Sequence, residues 1–295
     1  MTAKIKTNCS IMNDRSKITR TISHFWDQIS EGWREIWGPH IHHGYYENDQ
    51  QITPLQAQEK LIEKLTDNLL IQAQDAILDV GCGMGGSSLH LAKHHQATVT
   101  GITLSPKQVL IATNQAKAEN IQNVSFKIED ALFLKTFADN SFDIVWSLES
   151  CEQFYNKKLF LQEAYRVLKP GGKLMLATWC SSQEEFVGKE VSQYQKLCYA
   201  FDVPYMPTIR HYEELLGQVG YKTEQALDWT SHVAKSWDIG VSLVSACSLL
   251  RLLKLSGLRG LRFARQIKMM RDAFHQQRVK YGVFFAVKPE MASII

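Results

Sequence analysis

The stretch DVGCGMGG, residues 79–86, decides how the chain folds. It closes an apolar run, AILDVG (76–81), and opens a helical one, GGSSLHLAKHH (85–95). A short apolar run that ends in glycines and gives way to a helical pattern reads as a buried strand, a tight turn and a helix. Glycines at 81, 83, 85 and 86 let backbone approach a ligand closely, and the start of a helix favours an anionic group. The spacing of Gly81, Gly83 and Gly86 also fits a dinucleotide fingerprint, so the glycines alone leave a nicotinamide cofactor, and an oxidoreductase, open. Asp79 weighs the other way, because an acid at the end of the first strand suits an ammonium group better than a pyrophosphate.

Downstream, strands and helices alternate. ATVTGIT (97–103), VSFKIED (124–130), FDIVWSLE (142–149) and GGKLMLATWC (171–180) read as strands, separated by helical patterns such as SPKQVLIATNQAKAEN and NKKLFLQEAYRVLK. Residues 208–220 read as a helix, 222–229 as a sixth strand and YGVFFAVKP (281–289) as the last. This alternation predicts βαβ units, a parallel sheet and helices on both faces. Upstream, Ile18, Ile22, Phe25, Trp26, Ile29, Trp33, Ile36 and Trp37 recur at steps of three and four, one face of a helix with Gly32 as a candidate break. Thr53 and Pro54 mark the start of another helix, with Leu61, Ile62, Leu65 and Leu69 as its buried stripe. The resulting division is a disordered N-terminus (1–13), a helical extension (14–70), an α/β core (71–229), a helical insertion (230–280) and a final strand with the C-terminus (281–295).

Composition narrows the class. Among 295 residues 45% are apolar, enough for a sizeable core, and the net charge of +3 argues against a general nucleic-acid binder. Charge is uneven: residues 251–280 hold nine Lys/Arg against one acid, Asp272, so that segment is +8 and the remainder −5. The six cysteines are scattered without a C-x-x-C pair, which favours a reduced, cytoplasmic chain. The N-terminus lacks the apolar run of a secretory signal, although a short transit peptide stays open. The longest apolar run, IGVSLVSACSLL (239–250), is too short to span a bilayer.

With these motifs in order, the chain resembles the class I S-adenosylmethionine (SAM)-dependent methyltransferases. DVGCGMGG is similar to their first motif, and GITLSPKQ (101–108), IEDALFL (128–134), FDIVWSLES (142–150) and RVLKPGGKL (166–174) follow in the expected order. Three further stretches, IWGPHIHHGYYE, the ATWC strand ending and DWTSHVAKSW (228–237), resemble the γ-tocopherol C-methyltransferase group most. The resemblance implies a Rossmann-like seven-stranded, mostly parallel sheet with a helical lid before it and a helical cap before the last strand. It implies SAM as methyl donor and S-adenosylhomocysteine (SAH) as product. Asp79, Gly81, Cys82 and Gly83 are then expected at the methionine end, Asp130 and Ala131 at the adenine, and Ser147 and Leu148 beside the methionine moiety. Many relatives carry an acid after the second strand, at the ribose; here Thr103, Leu104 and Gln108 are the expected substitutes.

Methyl transfer from a sulfonium is an in-line displacement, so positioning supplies much of the rate. A phenolic acceptor also needs its hydroxyl proton drawn away, which asks for a base. Relatives of this group commonly carry a histidine where Gln153 stands, and an amide is no base. Glu152, Glu149 and the histidines of IWGPHIHHGYYEND (36–49) are the remaining candidates. His42 and His43 are taken as catalytic with Glu152 and Gln153, and His40, Tyr45, Tyr46, Thr178 and Trp179 as acceptor-binding. If 40–46 is extended, His40 and His42 share a face, with His43 opposite. No cysteine pair accompanies the histidines, so no metal is expected.

The expected acceptor is a small, apolar, ring-bearing molecule, first a tocopherol-like chromanol methylated on ring carbon, with N- or O-methylation of an indole-like or other secondary metabolite as the alternative. The basic insertion reads as a cap over the acceptor, or as a peripheral contact of 251–280 with anionic membrane. Only Phe263 and Phe274 interleave with its charges, so nucleic acid is not expected there.

Overall fold

A computed structural model of the chain describes residues 2–4, 15–47, 51–248 and 266–290. Seven strands form one sheet: β2 (Ala76–Val80), β3 (Thr98–Thr103), β4 (Val124–Ile128), β5 (Phe142–Leu148), β6 (Leu168–Ser181), β8 (Lys222–Asp228) and β9 (Val279–Val287). A short β1 (Thr2–Lys4) pairs antiparallel with β7 (Glu185–Val187) as a separate ribbon. Residues 2–4 thus belong to a strand inside a stretch read as disordered, and the rest of 1–13 lies outside the described residues.

The order across the large sheet is β4-β3-β2-β5-β6-β9-β8. The first five strands run parallel, and β9 is antiparallel to both β6 and β8. The order reverses at β2 and β5, whose carboxyl ends therefore flank the crevice where α/β sheets place ligands. Central β2 and β5 are buried almost throughout, as strands covered on both faces must be, which explains why AILDV and FDIVWSL read as continuous apolar runs rather than alternating ones.

The helices are α1 (Arg15–Trp37), α2 (Pro54–Thr66), α3 (Gly86–His95), α4 (Pro106–Ala118), α5 (Lys157–Val167), α6 (Lys189–Ala200), α7 (Ile209–Val219), α8 (Thr230–Val233), α9 (Lys235–Ala246) and α10, residues 266–275. The start of α2 is as its sequence predicts: the Thr53 hydroxyl accepts from Gln56 N while Gln56 Oε1 accepts from Thr53 N, a complete capping box with Pro54 in the first turn. Helix α1 does not break at Gly32. A helical glycine costs about 1 kcal/mol relative to alanine, and the packing of a long apolar face outweighs that. Helix α6 and strand β7 had no reading in the sequence. The stretch 249–265, which carries part of the basic excess, lies outside the described residues, and with it much of the segment read as a cap or membrane contact. Among the described residues no helix is long and apolar enough to cross a membrane.

Candidate functional site

One cavity opens at the carboxyl ends of β2, β3 and β5, and α1 roofs it with Ile18, Ile22, Phe25, Trp26, Ile29 and Trp33. Its floor is the glycine turn. Gly81 adopts φ +77°, and a β-carbon there would sit 2.2 Å from Ser150 Cβ, so no other residue fits. A β-carbon on Gly86 would meet His40 Nδ1 at 2.5 Å, so this glycine seats the His40 ring on the first turn of α3. Asp79 lines the same cavity and accepts from Ser88 Oγ at 2.6 Å. Burial pushes its carboxyl up to about 7, partly offset by that hydrogen bond. A buried acid beside a bare glycine turn fits an ammonium-bearing ligand: the cation restores the charge that burial disfavours.

At the second strand, Thr103 Oγ1 donates to Gln108 Oε1 at 2.7 Å, and Gln108 Nε2 donates to Ser30 Oγ of α1 at 3.2 Å. Thr103, Leu104, Gln108, Asp130 and Ala131 all line the cavity. Asp130 also holds its own turn, with Oδ1 accepting from Leu132 N at 3.0 Å. Cys82, Gly83 and Leu148 line it too, and burial raises the Cys82 thiol far above its ordinary range, so it serves as an apolar wall. Ser147 is fully buried and bonds Ser150 Oγ at 2.9 Å rather than lining the cavity. These residues together make a fitting cradle for a nucleoside joined to an amino acid.

The histidine stretch divides as its alternation predicts. His42 Nδ1 donates to the His43 carbonyl at 2.8 Å, and His40 Nδ1 donates to His42 Nε2 at 3.2 Å. Burial first, then neighbouring His42, pulls His40 down to about 2, and burial likewise lowers His42 against the opposing pull of Glu149. Both imidazoles are therefore neutral near pH 7, and neither presents a positive charge to a sulfonium. His43 turns the other way, to Glu149. Its Nδ1 donates to Glu149 Oε2 at 2.6 Å and its backbone N to Glu149 Oε1 at 2.9 Å. Tyr281 Oη donates to the same Oε1 at 2.8 Å. A carboxylate only accepts, so Nδ1 carries a proton and Nε2 is the ring nitrogen turned away from Glu149. Burial alone would raise Glu149, but the His43 partner and its hydrogen bonds outweigh that and hold the carboxyl below its usual value.

Glu149 sits just past β5 with φ +51°, a conformation that costs a non-glycine residue about 1–3 kcal/mol and persists where surrounding contacts over-determine it. Three side-chain hydrogen bonds do so here. Rings enclose His43: Trp237 at 5.0 Å between centroids, Tyr281 at 5.5 Å, Phe274 at 5.7 Å and Trp179 at 6.1 Å. Glu152 lines the cavity and accepts from Trp179 N at 2.8 Å. Burial, then repulsion from Glu149, pushes its carboxyl up to about 7. Two neighbouring acids are thus driven apart, Glu149 held below its usual value and Glu152 raised to where it is about half protonated near pH 7.

Other expected site residues stand elsewhere. Gln153 lines the cavity, but its Oε1 accepts from Trp26 Nε1 at 2.9 Å, so it ties down the lid helix. Tyr45 and Tyr46 do not line the cavity: Tyr45 stacks on His232 at 4.4 Å and packs on Trp229, and Tyr46 N donates to the His232 carbonyl. They pin the lid segment to α8 and the residue before it. Thr178 is fully buried within the sheet, while its neighbour Trp179 lines the cavity. Glu149 as the partner of His43, and Trp237, Phe274 and Tyr281 as the enclosing rings, went unassigned in the sequence. The hint was there: DWTSHVAKSW and YGVFFAVKP hold Trp237 and Tyr281. An H-x-x-x-H pair, His90 and His94 of α3, also went unread; their rings lie 4.4 Å apart, and no group of three metal-ligating residues converges among the described residues.

This fold and this cradle define a class I SAM-dependent methyltransferase, and comparison with known proteins agrees. A methyltransferase domain family model matches residues 71–230. Tocopherol O-methyltransferase of Arabidopsis thaliana is 32% identical over 289 residues, covering 92% of this chain and 83% of that protein. 2-Methyl-6-phytyl-1,4-hydroquinone methyltransferase of Synechocystis is also 32% identical, over 91% and 87% of the two chains. A geranyl diphosphate C-methyltransferase from Streptomyces coelicolor superposes with a TM-score of 0.74 at 18% identity, over 93% and 100% of the chains. The chain belongs to the SAM-dependent methyltransferase family and is related to its tocopherol methyltransferase group.

Proposed function

We propose that this enzyme methylates an apolar, ring-bearing small molecule that carries an ionisable hydroxyl, with ring-carbon methylation of a tocopherol-like chromanol or related quinol as the first choice. The observation that carries this reading is the buried His43–Glu149 pair inside a box of aromatic rings at the cofactor cavity. An amine acceptor needs no such base; a phenol does. The relatives named for a tocopherol and for a phytyl hydroquinone support the same class.

Bound SAM supplies an electrophilic methyl group, and the chain does the rest. Asp79 holds the ammonium end, and the glycine turn leaves room for backbone contact. The neutral His40 and His42 pack beside the turn without repelling a cation. His43 Nε2 accepts the acceptor's hydroxyl proton, which Glu149 makes favourable by stabilising the imidazolium. The oxygen's charge then flows into the ring and makes an adjacent carbon nucleophilic. That carbon takes the methyl as the sulfur–methyl bond breaks, then loses its own hydrogen as a proton to solvent. The imidazolium of His43 returns the first proton to the oxygen, for a net release of one proton. Glu152, raised to about 7, supplies a donor in the same cavity in its protonated fraction. Trp179 and Trp237 hold the ring, with Phe274 packed behind His43, and together they exclude water, which strengthens each of these interactions. The same base serves O-methylation of the same hydroxyl, so the product separates the two.

Methyl-labelled SAM with a panel of chromanols, prenylated quinols and indole amines tests this. We expect label on the hydroxylated rings, at carbon. Transfer confined to the amines contradicts the reading.

A further inference from the structure

Lys157 is the first residue of α5, fully buried, and absent from the cavity wall. Among the described residues it has no ion-pair partner. Its ammonium donates instead to the carbonyls of Glu152 at 2.8 Å and Phe154 at 2.6 Å, and lies 4.7 Å from the Tyr205 ring centroid. Burying an ammonium without a carboxylate is costly, and burial lowers this one to about 8. A methionine would fill the space more cheaply, so the charge needs a reason beyond packing.

Its two carbonyl acceptors bracket Gln153. Residues Cys151–Gln153 form one 3-10 turn between β5 and α5, and this turn presents Glu152, Gln153 and Phe154 to the cavity. Gln153 receives Trp26 of α1. On the far side of the cavity α1 has separate anchors: Asp27 accepts from Ser105 Oγ and Lys107 N, and Ser30 from Gln108. The lid is thus tied on two sides, with Trp26–Gln153 a tie on the β5 side.

We propose that Lys157 is a positioning residue for the lid: by holding both carbonyls around Gln153 it fixes the amide that receives Trp26, and so governs how firmly α1 closes over the cofactor. Lys157 reaches α1 only through the turn. Removing Lys157 and removing Trp26 therefore break one linkage, and their effects on cofactor retention do not add.

The test is a double-mutant cycle on SAH affinity by calorimetry, with Lys157→Met, Trp26→Phe and the pair. Interacting residues give non-additive effects, so we expect a rise in Kd of about tenfold for each single variant and still about tenfold for the double. Additive effects, giving about a hundredfold in the double, overturn the proposal. If Lys157→Met does not fold, Lys157→Gln takes its place in the cycle; one atom shorter and uncharged, it cannot hold both carbonyls, and Lys157→Arg is expected to restore part of the affinity. Hydrogen exchange supplies the second readout. Faster exchange confined to 18–33 and the turn at 151–157 supports the positioning role, whereas a uniform rise that includes 76–80 reduces Lys157 to a packing residue and overturns it.

Discussion

At the scale of single residues, the proposed reading gives Asp79 the ammonium end of the cofactor. Its carboxyl, raised to about 7 by burial, must ionise to hold an ammonium. Binding then releases a proton, and affinity rises as the pH passes upward through 7. Calorimetry of SAM at pH 6.5 in two buffers of different ionisation enthalpy should show net proton release; equal heats would contradict it. His40 works in the opposite sense. Its pKa is depressed to about 2, so the unfolded chain takes up its proton below the ordinary 6.5 while the folded chain does not. Stability is present above 6.5 and falls with acid, by about 1.4 kcal/mol per pH unit for one such group. His40→Gln should flatten the loss of Tm between pH 6.5 and 5; an unchanged slope would mean His40 is not held neutral. The residue scale also shows what spacing conveys. Extended alternation placed His40 and His42 together and His43 opposite. It could not say that Glu149, more than a hundred positions away in sequence, receives His43, because that pairing depends on how β5 and the lid segment meet.

Strands were legible because the centre of a doubly covered sheet is continuously apolar, and helix α2 because its cap is local chemistry. Thr53→Ala removes half of the capping box and should cost about 1 kcal/mol in denaturant unfolding while leaving SAH affinity unchanged. A lost affinity would mean that α2 does more than support the lid segment. Helix α6 and strand β7 escaped notice because 182–207 mixes glycine, prolines and charges without a clean period. The α1 stripe was visible, yet its destination was not. Apolar periodicity says that a face is buried, not against what, and here it faces a cavity as well as protein.

Across the whole molecule, the cavity joins elements far apart in sequence: the lid before the core, the switch point between β2 and β5, and the segment between β8 and β9 that brings Trp237 and Phe274 to His43. The fold class and the cofactor cradle followed from ordered local motifs. The acceptor half followed only in part: three family-like stretches hold His43, Trp179 and Trp237, but their meeting with Glu149, Phe274 and Tyr281 depends on the tertiary fold. The central claim is that His43 and Glu149 activate a hydroxyl on the acceptor, and Glu149→Gln tests it most directly. Measured as kcat/KM for a chromanol alongside the Kd of SAH, the variant should lose about 100-fold or more in turnover, in the range of general-base removal, with Kd within about twofold of wild type. Wild-type turnover in Glu149→Gln would contradict the account.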